Sequence, residues 1–261
     1  MDAAALWGTF AEHAALVMSG GRAPARASGP GWFAVLTGEA HFELNECALT
    51  SRADAADARA LVAFVSTAGV PALLSVASGA AAGVTEPLVA AGFAPGPEHE
   101  PLMWCPRRLP VAAGALRVEP VRSQADRERA IAIVADAHAM DAAAAGRALA
   151  PLPDRTGRVT AWLAFEGDEP ISVVWTTAGR RIGVWEMMTP ARHRRKGAAR
   201  AALTTALDRI WSDDTEGAFL WSTPAGRPFY ESVGFASVDD ATSWTLGADP
   251  ELLAAIGQPV G

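Results

Sequence analysis

The strongest limit on how this chain folds is a pattern of elements that runs twice at a fixed spacing. The pair Gly92-Phe93 recurs as Gly234-Phe235, an offset of 142 residues. Fifty residues before each glycine lie Phe42 and Val184, each inside an apolar stretch with strand character. Strand, helix, strand, helix, Gly-Phe, strand is therefore expected in each half, and an interval this long indicates duplicated domains, not a solenoid. With 261 residues there is chain enough for two cores. Sheet with helices between its strands is an α/β or α+β layered fold.

Boundaries follow from composition. The segment 105–115, CPRRLPVAAGA, combines prolines, arginines and small residues. It divides the chain into a first domain at 1–110, a linker at 111–115, a second domain at 116–247 and a tail at 248–261. In the first domain the periodicities predict a helix over 2–18 and a Gly/Pro-rich loop over 19–30. Strands follow at 32–36, 42–49, 73–76 and 102–104, with helices at 54–67 and 85–91. In the second domain strands are expected at 116–119, 159–166, 171–177, 181–189, 218–222 and 238–246. Ser123 caps a helix reaching His138, and further helical segments are expected at 141–149, 197–211 and 227–233.

Several function classes are disfavoured. The net charge of −7 argues against a general nucleic-acid or anionic-membrane binder. No apolar run approaches the ~18 residues of a membrane span, and the first residues, with Asp2 and Glu12, lack the basic start of a signal peptide. Cys47 and Cys105 have no CxxC spacing and sit among apolar residues, as expected of reduced, buried thiols in a cytoplasmic protein. HExxH, GxSxG, Walker and strand-coupled GxGxxG motifs are absent, so no metal is expected.

Against this acidic background one stretch stands out, Val184–Leu203, VWEMMTPARHRRKGAARAAL. An apolar strand ends at Thr189-Pro190, a basic turn follows, and Gly197-Ala198-Ala199 opens an Ala/Leu-rich helix. The turn holds Lys196, the chain's one lysine; the one tyrosine, Tyr230, follows downstream. A small-residue turn at a helix start presents free amides at the positive end of the helix, which suits an anion. Glycine at 197 lets the backbone approach that anion closely.

On these residues the second half resembles the GNAT superfamily of N-acetyltransferases. Arg194-x-x-Gly197-x-Ala199 fits that family's acyl-CoA motif, and Tyr230-x-x-x-Gly234-Phe235 fits its second signature. The resemblance covers about 116–247, and the first half resembles a diverged copy. It implies two GNAT-like domains, each a mixed, mostly antiparallel sheet flanked by helices, and acetyl-CoA as co-substrate. Amides of residues 195–200 would face the diphosphate, with Arg194, Arg195, Lys196, Gly197, Ala198, Ala199 and Arg200 forming the site. Met188 and Thr189 would pair with pantetheine where their strand splays from its neighbour. The resemblance makes Tyr230 the acid that protonates the leaving thiolate. Glu186, a carboxylate interrupting an apolar strand, is the candidate base.

His138 and Asp141 fall where the family builds its acceptor pocket, although a lone histidine at a helix end is commonly a cap. His193 is expected to face solvent. Trp162, Trp175, Trp185, Trp221 and Trp244 read mostly as core, with one or two able to wall a pocket. At the 142-residue offset the first half places Arg52, Ala55, Asp57 and Leu88 at the positions of Arg194, Gly197, Ala199 and Tyr230. Asp54 and Asp57 would repel a diphosphate, so that half is expected to be non-catalytic. The expected activity is acetyl transfer to a small-molecule or peptide amine by direct attack, without nucleic acid or membrane as partner; a homodimer is one assembly open to it. The rival from another class is an acyl-CoA-binding sensor or scaffold, which needs neither Tyr230 nor Glu186.

Overall fold

The structure is a computed structural model that describes residues 1–112, 114, 116–154 and 156–248. The first half runs α1 (Ala3–Val17), β1 (Ala25–Ser28), β2 (Trp32–Leu36), β3 (Asn45–Leu49), α2 (Ala55–Ala68), β4 (Ala72–Val76), α3 (Thr85–Ala90) and β5 (Ala94–Cys105). The second runs β6 (Arg117–Pro120), α4 (Gln124–Ala137), α5 (Ala142–Ala148), β7 (Val159–Glu166), β8 (Glu169–Thr177), β9 (Arg181–Met188), α6 (Ala198–Ile210), β10 (Gly217–Trp221), α7 (Arg227–Val233) and β11 (Ala236–Leu246). The offset of 142 carries α2 onto α6, α3 onto α7 and β5 onto β11. The proposed tail lies outside the described residues beyond 248, as do 113 and 115 of the proposed linker.

The Gly-Phe pair recurs because it ends a helix in the same way twice. Gly234 takes φ +117° after α7, and Phe235 N–H returns to the Tyr230 carbonyl at 3.0 Å. Gly92 takes φ +88° after α3, and Phe93 N–H returns to the Leu88 carbonyl at 3.0 Å. Glycine tolerates this left-handed turn, and the phenylalanine then drops into the core; both rings are 3% exposed.

Among the described residues the strands form one sheet in the order β1-β2-β3-β4-β11-β5-β10-β9-β8-β7-β6. Pairing is antiparallel except at β3–β4 and β9–β10, which are parallel and bridged by α2 and α6. The two halves exchange their last strands. β11 pairs with β4 of the first half (Trp244 opposite Leu74), and β5 pairs with β10 of the second (Phe219 opposite Trp104).

Alternation along the strands sorts the core. Ala161, Leu163 and Phe165 of β7 pack with α1 and α4 on one face, while Trp162 and Ala164 pack with α6 and α7 on the other. Ala34, Leu36, Cys47 and Leu49 pack with α2. In a flat sheet the six intervals from β2 to β9 would span roughly 29 Å. Yet Phe10 of α1 has its ring centroid 6.0 Å from Phe33 of β2 and 4.8 Å from Trp185 of β9. The sheet therefore curls around α1, bringing distant strands together on its concave side.

Three local readings differ from the sequence expectation, the first being the strand expected at 102–104, which begins eight residues earlier as β5 (Ala94–Cys105). The loop expected at 19–30 contains β1, an edge strand whose polar residues are tolerated because only one side is hydrogen-bonded. The strand expected at 42–49 opens as a 3-10 turn, Phe42–Leu44, before β3 begins. Here the Asn45 side chain bonds back to the loop that precedes it, accepting from Thr37 N–H at 3.0 Å and donating to the Glu39 carbonyl at 2.9 Å.

Candidate functional site

The strand leading into the basic turn leaves its neighbour early. β9 and β10 pair only at Arg181–Gly217, Ile182–Ala218 and Gly183–Phe219. β9 then continues to Met188 with its other edge on β8. An extra residue is absorbed where the β8–β9 register shifts between Val173–Met188 and Trp175–Trp185, and Glu186 takes φ +43° there. A bulge of this kind re-aims a side chain and bends the strand. The strand end is held by Ser172 Oγ, which donates to the Met188 carbonyl at 3.0 Å and lies 2.8 Å from Thr189 Oγ1.

The turn that follows is built to leave amides free. Arg195 and Gly197 take φ +62° and +81°, alternating with ordinary conformations as in an anion-binding nest. The first bond of α6 is Ala201 N–H to the Gly197 carbonyl, 2.9 Å, so the amides of Ala198, Ala199 and Arg200 before it lack helical partners. No side chain caps this helix. A Cβ built on Gly197 would meet nothing within 4 Å; the backbone angle demands glycine there, and the space outside is open. Ala198 is 2% exposed and anchors the turn in the core.

Charge around the turn is partly committed. Lys196 Nζ lies 2.7 Å from Glu166 Oε2, Arg200 donates to Ser232 Oγ at 2.8 Å, and Arg194 Nε donates to the Thr189 carbonyl at 3.1 Å. Arg192 and Arg195 make no ion pair among the described residues. His193 does not face solvent as expected. The 3-10 turn Ala191–His193 folds it inward to 7% exposure, with Nε2 3.2 Å from Glu169 Oε1 on β8.

The equivalent helix start in the first half is closed. Asp54 accepts from the amides of Ala56 and Asp57 at 2.7 and 3.0 Å, and Asp57 accepts from Asp54 N–H at 3.3 Å. This capping box occupies the donors that an anion would need.

Tyr230 sits on α7 among Val184 and Met187 of β9. Its ring meets Phe229 and Phe235 edge-on at 5.2 and 5.9 Å. Burial pushes the phenol well above its ordinary value, so it stays protonated at physiological pH and is a proton donor.

On the concave side the structure joins residues from both halves. His138, at the C-terminus of α4, lies with Nδ1 2.7 Å from Glu43 Oε2 and Nε2 3.2 Å from Glu186 Oε2. Burial alone would pull the imidazole down, but the two carboxylates outweigh it and hold it well above 6.5. His41 stacks on Phe42 and lies 3.8 Å from Glu43 Oε2; burial lowers it, against the pull of Glu43. Glu46, on β3, is 4% exposed, and burial together with Glu186 and Glu100 pushes it up to about 8. Asp141 stands apart: its carboxylate caps α5, accepting from Ala143 N–H at 2.6 Å.

Sequence reasoning singled out His138 and Glu186 but passed over His41, Glu43 and Glu46. The available signal was of the kind that marked Glu186, a carboxylate within an apolar strand. Trp162, Trp175, Trp185 and Trp244 are buried core residues, whereas Trp221 is partly buried against the core and donates to the Glu100 carbonyl at 3.0 Å. Cys47 adjoins Glu46 but packs on the opposite face. Both cysteines are free and buried. Among the described residues no three His, Cys, Asp or Glu side chains group as a metal site, and no helix is long and apolar enough to cross a membrane.

Residues 134–243 match the family model described as Acetyltransferase (GNAT) domain. Comparison with curated proteins gives no match. Among solved structures, a GCN5-related N-acetyltransferase from Kribbella flavida has the same fold over 95% of this chain and 97% of its own, with TM-score 0.66 and 20% identity. One from Sphaerobacter thermophilus matches 83% of this chain and 76% of its own, with TM-score 0.56 and 11% identity. A GCN5-related N-acetyltransferase-like protein from Streptococcus suis matches 86% and 88%, with TM-score 0.52 and 11% identity. The fold is thus that of GCN5-related N-acetyltransferases, and residues 134–243 are similar to an acetyltransferase domain.

Proposed function

We propose that the protein is an acetyl-CoA-dependent N-acetyltransferase that acts on a primary amine by direct transfer within a ternary complex, with its working site in the second half. The observation that carries this reading is the departure of β9 from β10 beyond Gly183, leading directly into an uncapped helix start at Gly197.

The residues fit the donor. Free amides of Ala198, Ala199 and Arg200, at the positive end of α6, are matched to a diphosphate, with Arg194, Arg195 and Lys196 adding charge. The open edge at Met188 and Thr189 is matched to the amides of pantetheine. Bound there, acetyl-CoA supplies the acetyl group as a thioester. The chain's own groups then manage the protons. As the amine nitrogen forms its bond to the acetyl carbon, Glu186 takes the proton from nitrogen, directly or through a water. As the carbon–sulfur bond breaks, Tyr230 gives its phenolic proton to the departing sulfur. Both cysteines are buried, and Cys105 Sγ donates to the Arg107 carbonyl at 3.4 Å, so no acetyl-cysteine step is invoked.

The first half, whose helix start is self-capped by Asp54, is read as a non-catalytic copy. Gly197→Asp tests the donor assignment, because it sets a carboxylate on a strained backbone where the diphosphate would sit. We expect acetyl-CoA binding, measured by calorimetry, to be lost while the circular dichroism spectrum is kept. Normal binding by this variant would overturn the assignment. Release of CoA thiol in a single turnover with a panel of amines separates transfer from a sensor that only binds.

A further inference from the structure

Carboxylic acids from both halves converge on the concave side beside the bulge of β9. Glu43 comes from the turn before β3, Glu46 from β3, Glu100 from β5 and Glu186 from β9. Glu46 shares its face of the strand with Ala48, which packs in the core around α1, so its side chain enters the concavity. Its Oε2 is buried and has no hydrogen-bond partner, and Glu46 takes part in no ion pair among the described residues. The cation near this group, His138, already has both nitrogens turned to Glu43 and Glu186. A buried, unpaired carboxyl oxygen beside further carboxylates lacks a donor that the chain does not supply.

We infer that the acceptor carries two or more amino groups, one of which binds Glu46 as an ammonium while another is acetylated beside Glu186. This rests on the transfer reading above and adds the substrate class. It gives the first half a part in substrate binding, as one wall of the acceptor site. The ammonium brings the charge that lets Glu46 ionise in a place where burial, Glu186 and Glu100 otherwise keep it protonated near neutral pH. Binding at pH 7 therefore releases a proton from Glu46. Of the other titratable groups of the cluster, His138 bridges Glu43 and Glu186, and His41 lies 3.8 Å from Glu43 without a hydrogen bond to it.

The test uses the full chain with saturating acetyl-CoA and two matched series, α,ω-diamines of increasing length and the monoamine of each length. We expect kcat/KM to favour the best diamine over its monoamine by at least tenfold. Glu46→Gln, isosteric with the protonated acid, should raise KM for that diamine tenfold or more while leaving kcat and the monoamine's KM nearly unchanged. Calorimetry of diamine binding in buffers of different ionisation enthalpy should show proton release at pH 7 that Glu46→Gln abolishes. Equal KM values for diamine and monoamine, or an equal shift of both by Glu46→Gln, would overturn the inference and leave the transfer reading intact. Failure to acetylate any amine despite normal acetyl-CoA binding would instead remove the transfer reading, and this inference with it.

Discussion

His138 Nε2 lies 3.2 Å from Glu186 Oε2, tying the end of α4 to the bulge of β9. Through its other nitrogen the same ring holds Glu43, so one imidazolium balances two largely covered carboxylates. His138→Ala leaves both uncompensated. Removing one partner of such a buried set costs on the order of 3 kcal/mol, and we expect a loss of about that size in urea unfolding at pH 7. An unfolding midpoint equal to wild type would show that the bridge carries no stability.

Tyr230→Phe keeps the ring that packs against Phe229 and Phe235 and deletes only the proton donor. Turnover should fall by about 10²–10⁴-fold, the usual weight of positioned acid catalysis, with KM for acetyl-CoA unchanged. Steady-state thiol release measures both quantities, and an unaltered kcat removes the phenol from the mechanism.

The raised pKa of Glu46 has a consequence for stability. Its ordinary value is 4.5, and in the folded chain it stands at about 8. Between these values the folded state keeps a proton that the unfolded state has released, so stability falls as pH rises through this window. The full cost is present above about 8 and vanishes below 4.5. Glu46→Gln escapes it. Its melting temperature should exceed wild type at pH 9, with the gap closing toward pH 5; a gap independent of pH would contradict this.

Asp239 joins three segments. It accepts from the buried Trp7 indole at 2.7 Å, and from the amide and hydroxyl of Ser78 at 3.0 and 2.6 Å. Asp239→Ala strands the indole N–H inside the core and frees the loop after β4. We expect a loss of about 2–3 kcal/mol in urea unfolding followed by tryptophan fluorescence, and a smaller loss for Asp239→Asn.

Much of this architecture is legible in the sequence, because it is local. Apolar alternation marks β7 and β8, Ser123 marks the start of α4, and the Gly-Phe pairs mark two helix ends. The free amides at Gly197 are legible for the same reason. What the sequence does not carry is which distant strands meet. Nothing in the pattern at 94–105 or 236–246 says that these strands pair across the two halves. The curl that sets Glu43 and Glu46 near Glu186 depends on that pairing, so the first half's share of the site stays hidden. His193 is a smaller case: a histidine among arginines reads as solvated, and only the 3-10 turn at 191–193 takes it inside.

The exchange of β5 and β11 also fixes the order in which the chain can fold. β4 gains its partner on one side only when residues 236–246 arrive, so the first half cannot reach its final form while it alone has left the ribosome. Contacts this far apart in sequence close slowly, and until then β4 and β5 present unpaired edges of the kind that recruit chaperones or other chains. A polypeptide cut short before Ala236 lacks the strand that joins β4 to β5, and the damage reaches the half that was made first.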